Sequence, residues 1–124
     1  MTNVNLSNGE WKIMQALWQT SPQTITQLTF CLKEDTGWSK HTIITMLGRM
    51  ESKGVVRYEE GERAKLFYPT ISKKNKSIEE AKKFLKRVYS GSVNMMVNSL
   101  VEEKSLSKKE IEELYEILKC AKEK

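Results

Sequence analysis

Histidine is almost absent from this sequence, with one residue, His41, in 124. Cysteine is nearly as scarce: Cys31 and Cys120 stand far apart, with no Cys-x-x-Cys spacing and no Cys/His cluster. Neither a disulfide framework nor a zinc site is indicated, and no metal-ligand set is expected. Clustered carboxylates beside a partner base are missing, and so is any Gly-rich phosphate loop, which leaves no catalytic constellation. No enzyme, no cofactor and no small-molecule substrate are therefore expected. No run approaches the ~18 apolar residues that cross a bilayer. Met1 to Ser7 lack an apolar signal region, so the expected location is the cytoplasm. Aromatic side chains make up only 8% and form no evident stacking platform of the kind RNA recognition uses.

Charge of one sign is not in large excess either. Residues 1–75 hold 10 Lys and Arg against 7 Asp and Glu, and residues 76–124 hold 11 against 9. The net charge of +5 permits nucleic-acid binding and equally fits a solvated surface. The length suits one domain, or a small domain with a satellite.

What the chain has in plenty is helix punctuation. Ser7 with Glu10, Thr24 with Gln27, Ser77 with Glu80 and Ser107 with Glu110 all have the capping-box spacing, in which hydroxyl and carboxylate or amide satisfy each other's orphan amides. The first helix is expected over about residues 8–20, with Ile13, Met14, Leu17 and Trp18 on one face, Trp11 widening it, and Ser21-Pro22 ending it. A second, over about 25–34, turns Ile25, Leu28, Cys31 and Leu32 inward, which makes Cys31 a small buried hydrophobe. Phe30 falls on its opposite face, and Asp35 to Gly37 reads as a turn.

The third helix opens on Ser39 as N-cap and closes at Gly54. Ile43, Met46, Leu47 and Met50 lie within one arc of it. His41, Thr45, Gly48 and Ser52 centre the opposite arc, flanked by Ile44 on one side and by Arg49 and Thr42 on the other. Such a helix buries one side and presents the other. Gly48 costs about 1 kcal/mol relative to Ala in mid-helix; close approach to another surface and neutral chance both account for it. Two short strands follow at once, around a charged, Gly-containing turn. The expected fold is mostly α with a small β-hairpin, in which residues 1–72 form a winged helix-turn-helix that places a helix in a DNA groove and a hairpin beside it.

After Pro69, Ser72 to Ser77 reads as a polar, basic connector, and three helices follow. Their stripes are Ile78, Ala81, Phe84, Leu85 and Val88; Val93, Met96, Val97, Leu100 and Val101; and, over about 108–122, Ile111, Leu114, Leu118 and Ala121. So short a segment with one apolar stripe per helix buries its surface poorly alone. Residues 73–124 are accordingly expected to be a helical dimerisation domain pairing about a two-fold axis. Folding back on the N-terminal domain is the alternative.

Candidate DNA contacts come from the outward face of the third helix and from the wing. The N-terminal amides of that helix, with Lys40, suit a phosphate. Thr42 and Thr45 can donate to phosphate or base edges, and Arg49 either reaches a guanine bidentately or lies along the backbone. His41 faces outward and donates a hydrogen bond even when uncharged. Ile44 cannot donate, but it can pack on a thymine methyl. Arg63 and Lys65, at the wing, should meet phosphate or minor groove.

Glu10-Trp11, Ile13-Met14 and Leu17-Trp18, then Trp38-Ser39, Thr42-Ile43, Thr45, Leu47 and Arg49, then Lys53-Gly54 and Phe67-Tyr68-Pro69, resemble the penicillinase-repressor family (BlaI, MecI and CopY). Phe84-Leu85, Val88-Tyr89, Gly91, Asn94, Met96, Leu106-Ser107, Glu110-Ile111 and Glu113-Leu114 extend the likeness to its β-lactam-responsive branch, over nearly the whole chain. The resemblance implies a transcriptional repressor that binds a palindromic double-stranded DNA operator as a homodimer and controls β-lactam-resistance or related genes. It also implies relief by proteolysis in the C-terminal domain, with a membrane sensor-protease as partner. The family's Asn-Phe cleavage bond corresponds here to Ser99-Leu100, with Asn98 one position earlier. The copper-responsive branch carries paired Cys-x-Cys motifs near its C-terminus; Cys120 alone there argues against that mode, since thiolates are what select the metal. His41 stands where the family often has Lys, and Ile44 where it has Arg, Lys or Gln. A metal- or otherwise-responsive repressor of the same fold is one alternative, and a winged-helix module for protein contacts is the other. Steep loss of affinity with salt separates DNA binding from the latter.

Overall fold

The computed structural model describes residues 4–124, with α1 (Asn8–Gln19), α2 (Ile25–Thr36), α3 (Lys40–Ser52), β1 (Val56–Glu60), β2 (Lys65–Pro69), α4 (Lys73–Tyr89), α5 (Val93–Glu102) and α6 (Lys108–Lys122) in that order. Contacts divide the chain into two compact units, Met1–Ser77 and Ile78–Lys124, so the division falls inside α4.

Three of the four expected capping boxes form. Ser7 Oγ accepts the amide of Glu10 at 3.2 Å while Glu10 Oε1 accepts that of Ser7 at 2.9 Å. Thr24 with Gln27 and Ser107 with Glu110 reciprocate in the same way. The fourth does not form, because α4 begins at Lys73 and Ser77 lies inside it. The stretch expected to be a connector is thus the opening of a helix. Ser72 takes over the cap, its Oγ accepting the Asn75 amide at 3.0 Å, and lysine is a good helix former. The α2 helix also outruns its expected end. Asp35 and Thr36 complete its last turn instead of forming a loop, and Gly37 closes it in the left-handed region at φ 69°.

The core of the N-terminal unit gathers the apolar stripes of its helices: Ile13, Met14 and Leu17 from α1, Leu28 and Leu32 from α2, and Ile43, Leu47 and Met50 from α3. Val55, Val56 and Phe67 close it from the hairpin. Cys31 corrects the sequence reading, since it is exposed. At ~100° per residue it stands a quarter-turn or more from Leu32, and the core takes the Leu28/Leu32 edge of the helix. Phe30 is 82% exposed.

The hairpin is antiparallel, with Arg57 opposite Tyr68 and Tyr58 opposite Phe67. Gln23 ties it to the helices. Its amide donates to Phe67 O at 3.1 Å and its carbonyl accepts from Phe67 N at 2.9 Å. The Gln23 side chain is buried and donates to Ala16 O at 3.0 Å and Thr20 O at 2.8 Å. Trp18 Nε1 donates to Ile71 O at 2.8 Å, fixing the exit from β2. Lys76 is buried at the start of α4 and its ammonium donates to the carbonyl of Val4.

In the C-terminal unit neither α5 nor α6 has a buried residue. Ile78, Phe84, Val88, Val93, Leu100, Val101, Ile111 and Leu118 are exposed, while Leu85, Met96, Val97 and Leu114 are half-buried. Among the described residues no helix is long and apolar enough to cross a membrane.

Candidate nucleic-acid interface

The two sides of α3 separate as its sequence requires. Ser39 Oγ accepts the amide of Thr42 at 3.2 Å and starts the helix. Ile43, Leu47 and Met50 are then buried, while Lys40, His41, Ile44, Thr45, Gly48 and Arg49 are exposed. Thr42 is half-buried, its hydroxyl 3.3 Å from that of Ser39. Thr45 donates its hydroxyl proton to the carbonyl of His41 at 3.0 Å. Toward a ligand it therefore offers lone pairs and a methyl group rather than a proton.

The wing turns on Gly61, whose amide donates to Ala64 O at 2.9 Å. A Cβ at Gly61 would stand 2.5 Å from that oxygen, so this position needs glycine. Arg63 is exposed in the turn. Lys65 is exposed at the start of β2, its ammonium 4.2 Å from the centre of the Tyr58 ring. Arg57 is held differently. It lies 4.1 Å over Tyr68 and 2.9 Å from Glu59 Oε2, and Tyr68 donates to the other Glu59 oxygen at 3.3 Å. A charge neutralised in this way has less to offer a phosphate than Arg63 or Lys65.

A part-buried ion pair fixes the far end of α3. Lys53, its C-cap, sets its ammonium 2.5 Å from Glu10 Oε1 and 2.8 Å from Asn5 O. Glu10 is only 2% exposed. Burial by itself would raise its carboxyl pKa; the Lys53 hydrogen bond and charge and the Ser7 amide and hydroxyl outweigh it, and the net shift is downward. A carboxyl made more acidic by folding stabilises the fold above its unfolded-state value and loses that stabilisation as pH falls through the folded one. Lys53→Met is accordingly expected to lower stability by about 2 kcal/mol near neutrality, less than for a fully buried pair because Lys53 is partly exposed. The difference from wild type should narrow in urea unfolding repeated near pH 3; an equal difference at both pH values would disprove the pairing.

The sequence model of the penicillinase repressor family matches residues 6–120. The chain belongs to that family. The penicillinase repressor of Bacillus licheniformis is 33% identical over 113 residues, spanning 91% of this chain and 88% of that protein. The methicillin resistance regulatory protein MecI of Staphylococcus aureus strain N315 is 28% identical over 113 residues, spanning 91% and 92%. Among solved structures, the DNA-binding domain of the repressor BlaI superposes with a TM-score of 0.53 at 27% identity, over 59% of this chain and 90% of that one. The monomeric Bacillus licheniformis BlaI in complex with the blaP half-operator gives a TM-score of 0.53 at 26% identity, over 60% and 93%.

In this penicillinase-repressor family chain, all eight residues singled out for DNA, Lys40, His41, Thr42, Ile44, Thr45, Arg49, Arg63 and Lys65, fall in the N-terminal unit. The apolar residues singled out for dimerisation all fall in the other unit. Met95, Tyr115 and Ile117 are exposed there as well and were not on the expected stripes. A width test on α6 finds two of them: Tyr115 and Ile117 extend its apolar arc on either side of Leu114 and Leu118. Ser99 and Leu100 lie within α5, the Ser99 hydroxyl donating to Met95 O at 3.0 Å.

Proposed function

We propose that this DNA-binding transcriptional repressor grips a two-fold symmetric, double-stranded operator as a homodimer in the cytoplasm, with no catalytic step, cofactor or small-molecule substrate of its own. The observation that carries the reading is the division of α3, with Ile43, Leu47 and Met50 buried and Lys40, His41, Ile44, Thr45 and Arg49 outward. A helix so presented is what a major groove admits. Lys40, Thr42 and the first amides of α3 take phosphate, His41, Ile44, Thr45 and Arg49 meet base edges, and Arg63 and Lys65 take the flanking backbone. Residues 1–72 form the DNA-binding part and 73–124 the dimerisation part. Dimerisation is supported by the apolar side chains that α4, α5 and α6 leave exposed, Phe84, Val88, Val93, Leu100, Val101, Ile111 and Leu118 among them. Leu85, Met96, Val97 and Leu114 complete those stripes. The names of the relatives, a penicillinase repressor and a methicillin resistance regulatory protein, support β-lactam-resistance genes as the targets; relief by a membrane sensor-protease is what the family resemblance implies. Cleavage at Ser99-Leu100 then requires α5 to unwind first, because a protease takes its substrate extended.

Selection of random DNA by the purified protein, followed by footprinting, tests the reading. The expected result is a symmetric site protected over about two helical turns, with affinity falling steeply between about 50 and 200 mM salt. Salt-insensitive binding to another protein, with no DNA selected, would favour an interaction module instead. Arg49→Ala should weaken binding by about 1–3 kcal/mol and relax specificity at one position. A uniform loss over all sequences would place Arg49 on the phosphate backbone.

A further inference from the structure

We propose that Ile44, Thr45 and Gly48 form an apolar seat for the 5-methyl group of one thymine in each operator half-site, and that this seat sets the sequence preference of α3. The inference rests on the DNA-binding reading above. Ile44 is 49% exposed on the presented side of α3, and Gly48 lies one turn beyond it on the same side. A side chain at Gly48 would lean toward the helix N-terminus, back over Ile44 and Thr45. The glycine leaves both bare. Among the described residues a Cβ there would meet nothing within 4 Å, so packing within the protein does not require glycine. The bare backbone at Gly48 leaves room for a base edge to approach α3 closely beside Ile44. Thr45 has already given its proton to His41 O at 3.0 Å, so its methyl adds to the apolar surface. Ile44, Thr45 and Gly48 together then present no side-chain hydrogen-bond donor. In the major groove the one apolar group on a base edge is the thymine methyl.

The test uses the duplex recovered by selection, with each thymine replaced singly by deoxyuridine, which lacks only that methyl. One position per half-site should lose about fourfold in affinity, the factor for burying one methyl-sized group. With Ile44→Ala the same replacement should change affinity less than twofold, since the seat is gone. Gly48→Ala should fold with an undiminished melting temperature and bind the native duplex at least tenfold more weakly. Wild-type affinity insensitive to every deoxyuridine overturns the seat, as does sensitivity that survives Ile44→Ala or a Gly48→Ala protein of native affinity. Failure to select any duplex at all would instead overturn DNA binding itself, so the two failures are distinct.

Discussion

Leu118→Glu is expected to turn the proposed homodimer into a monomer. Leu118 is 60% exposed in the protomer, so a carboxylate there stays solvated as long as the chain is alone. Pairing about a two-fold axis buries the position twice, once from each protomer. Burying an unpaired carboxylate costs several kcal/mol, and two of them raise the dissociation constant by at least about 100-fold. Sedimentation over a dilution series measures this directly. Circular dichroism should show the helices intact, and affinity for a full operator should fall toward that for a single half-site. A variant that dimerises as tightly as wild type would remove Leu118 from the interface and leave α6 without its assigned partner.

Leu47→Ala is expected to have a comparable effect by a different route. Leu47 is 2% exposed and belongs to the core shared by the three N-terminal helices and the hairpin. Truncation removes the buried methyls and leaves a cavity, at a cost of about 3 kcal/mol. A small domain has roughly 5–10 kcal/mol of stability in all, so the urea midpoint of the N-terminal unit should drop markedly. Operator binding weakens only as the folded fraction does. Arg49→Ala, two residues further along the same helix, should do the reverse, with stability held and affinity lost. If Leu47→Ala unfolds at the wild-type urea concentration, α3 is not packed through its Ile43/Leu47/Met50 side.

Much of this was legible in the sequence because α3 is written in a strong alternation. Its Ile43, Leu47 and Met50 are all buried, and His41, Thr45 and Arg49 are all outward, as a 3.6-residue period demands. The boxes at Ser7, Thr24 and Ser107 fixed three helix starts for a local reason, since each serine or threonine needs only the residue three places on. Ser77 has the same spacing and fails because Ser72, upstream, offers a cap to a lysine-rich stretch that is itself helix-forming. Local pattern cannot rank two competing caps. Cys31 lies at the edge of the apolar arc of α2, and the core takes only Leu28 and Leu32, a choice that the packed neighbours make and periodicity does not. The pairing of Glu10 with Lys53 was not legible at all: its partners are far apart in sequence, and each reads by itself as an ordinary surface charge.

The segment ahead of α1 is gripped from two places. Lys53, at the end of α3, holds the carbonyl of Asn5, and Lys76, at the start of α4, holds that of Val4. A shortened fragment beginning at the cap of the first helix would retain every helix of the DNA-binding half, yet it would take those two carbonyls away from the lysines. Trimming past Val4 should therefore loosen the very helix the fragment was made to study.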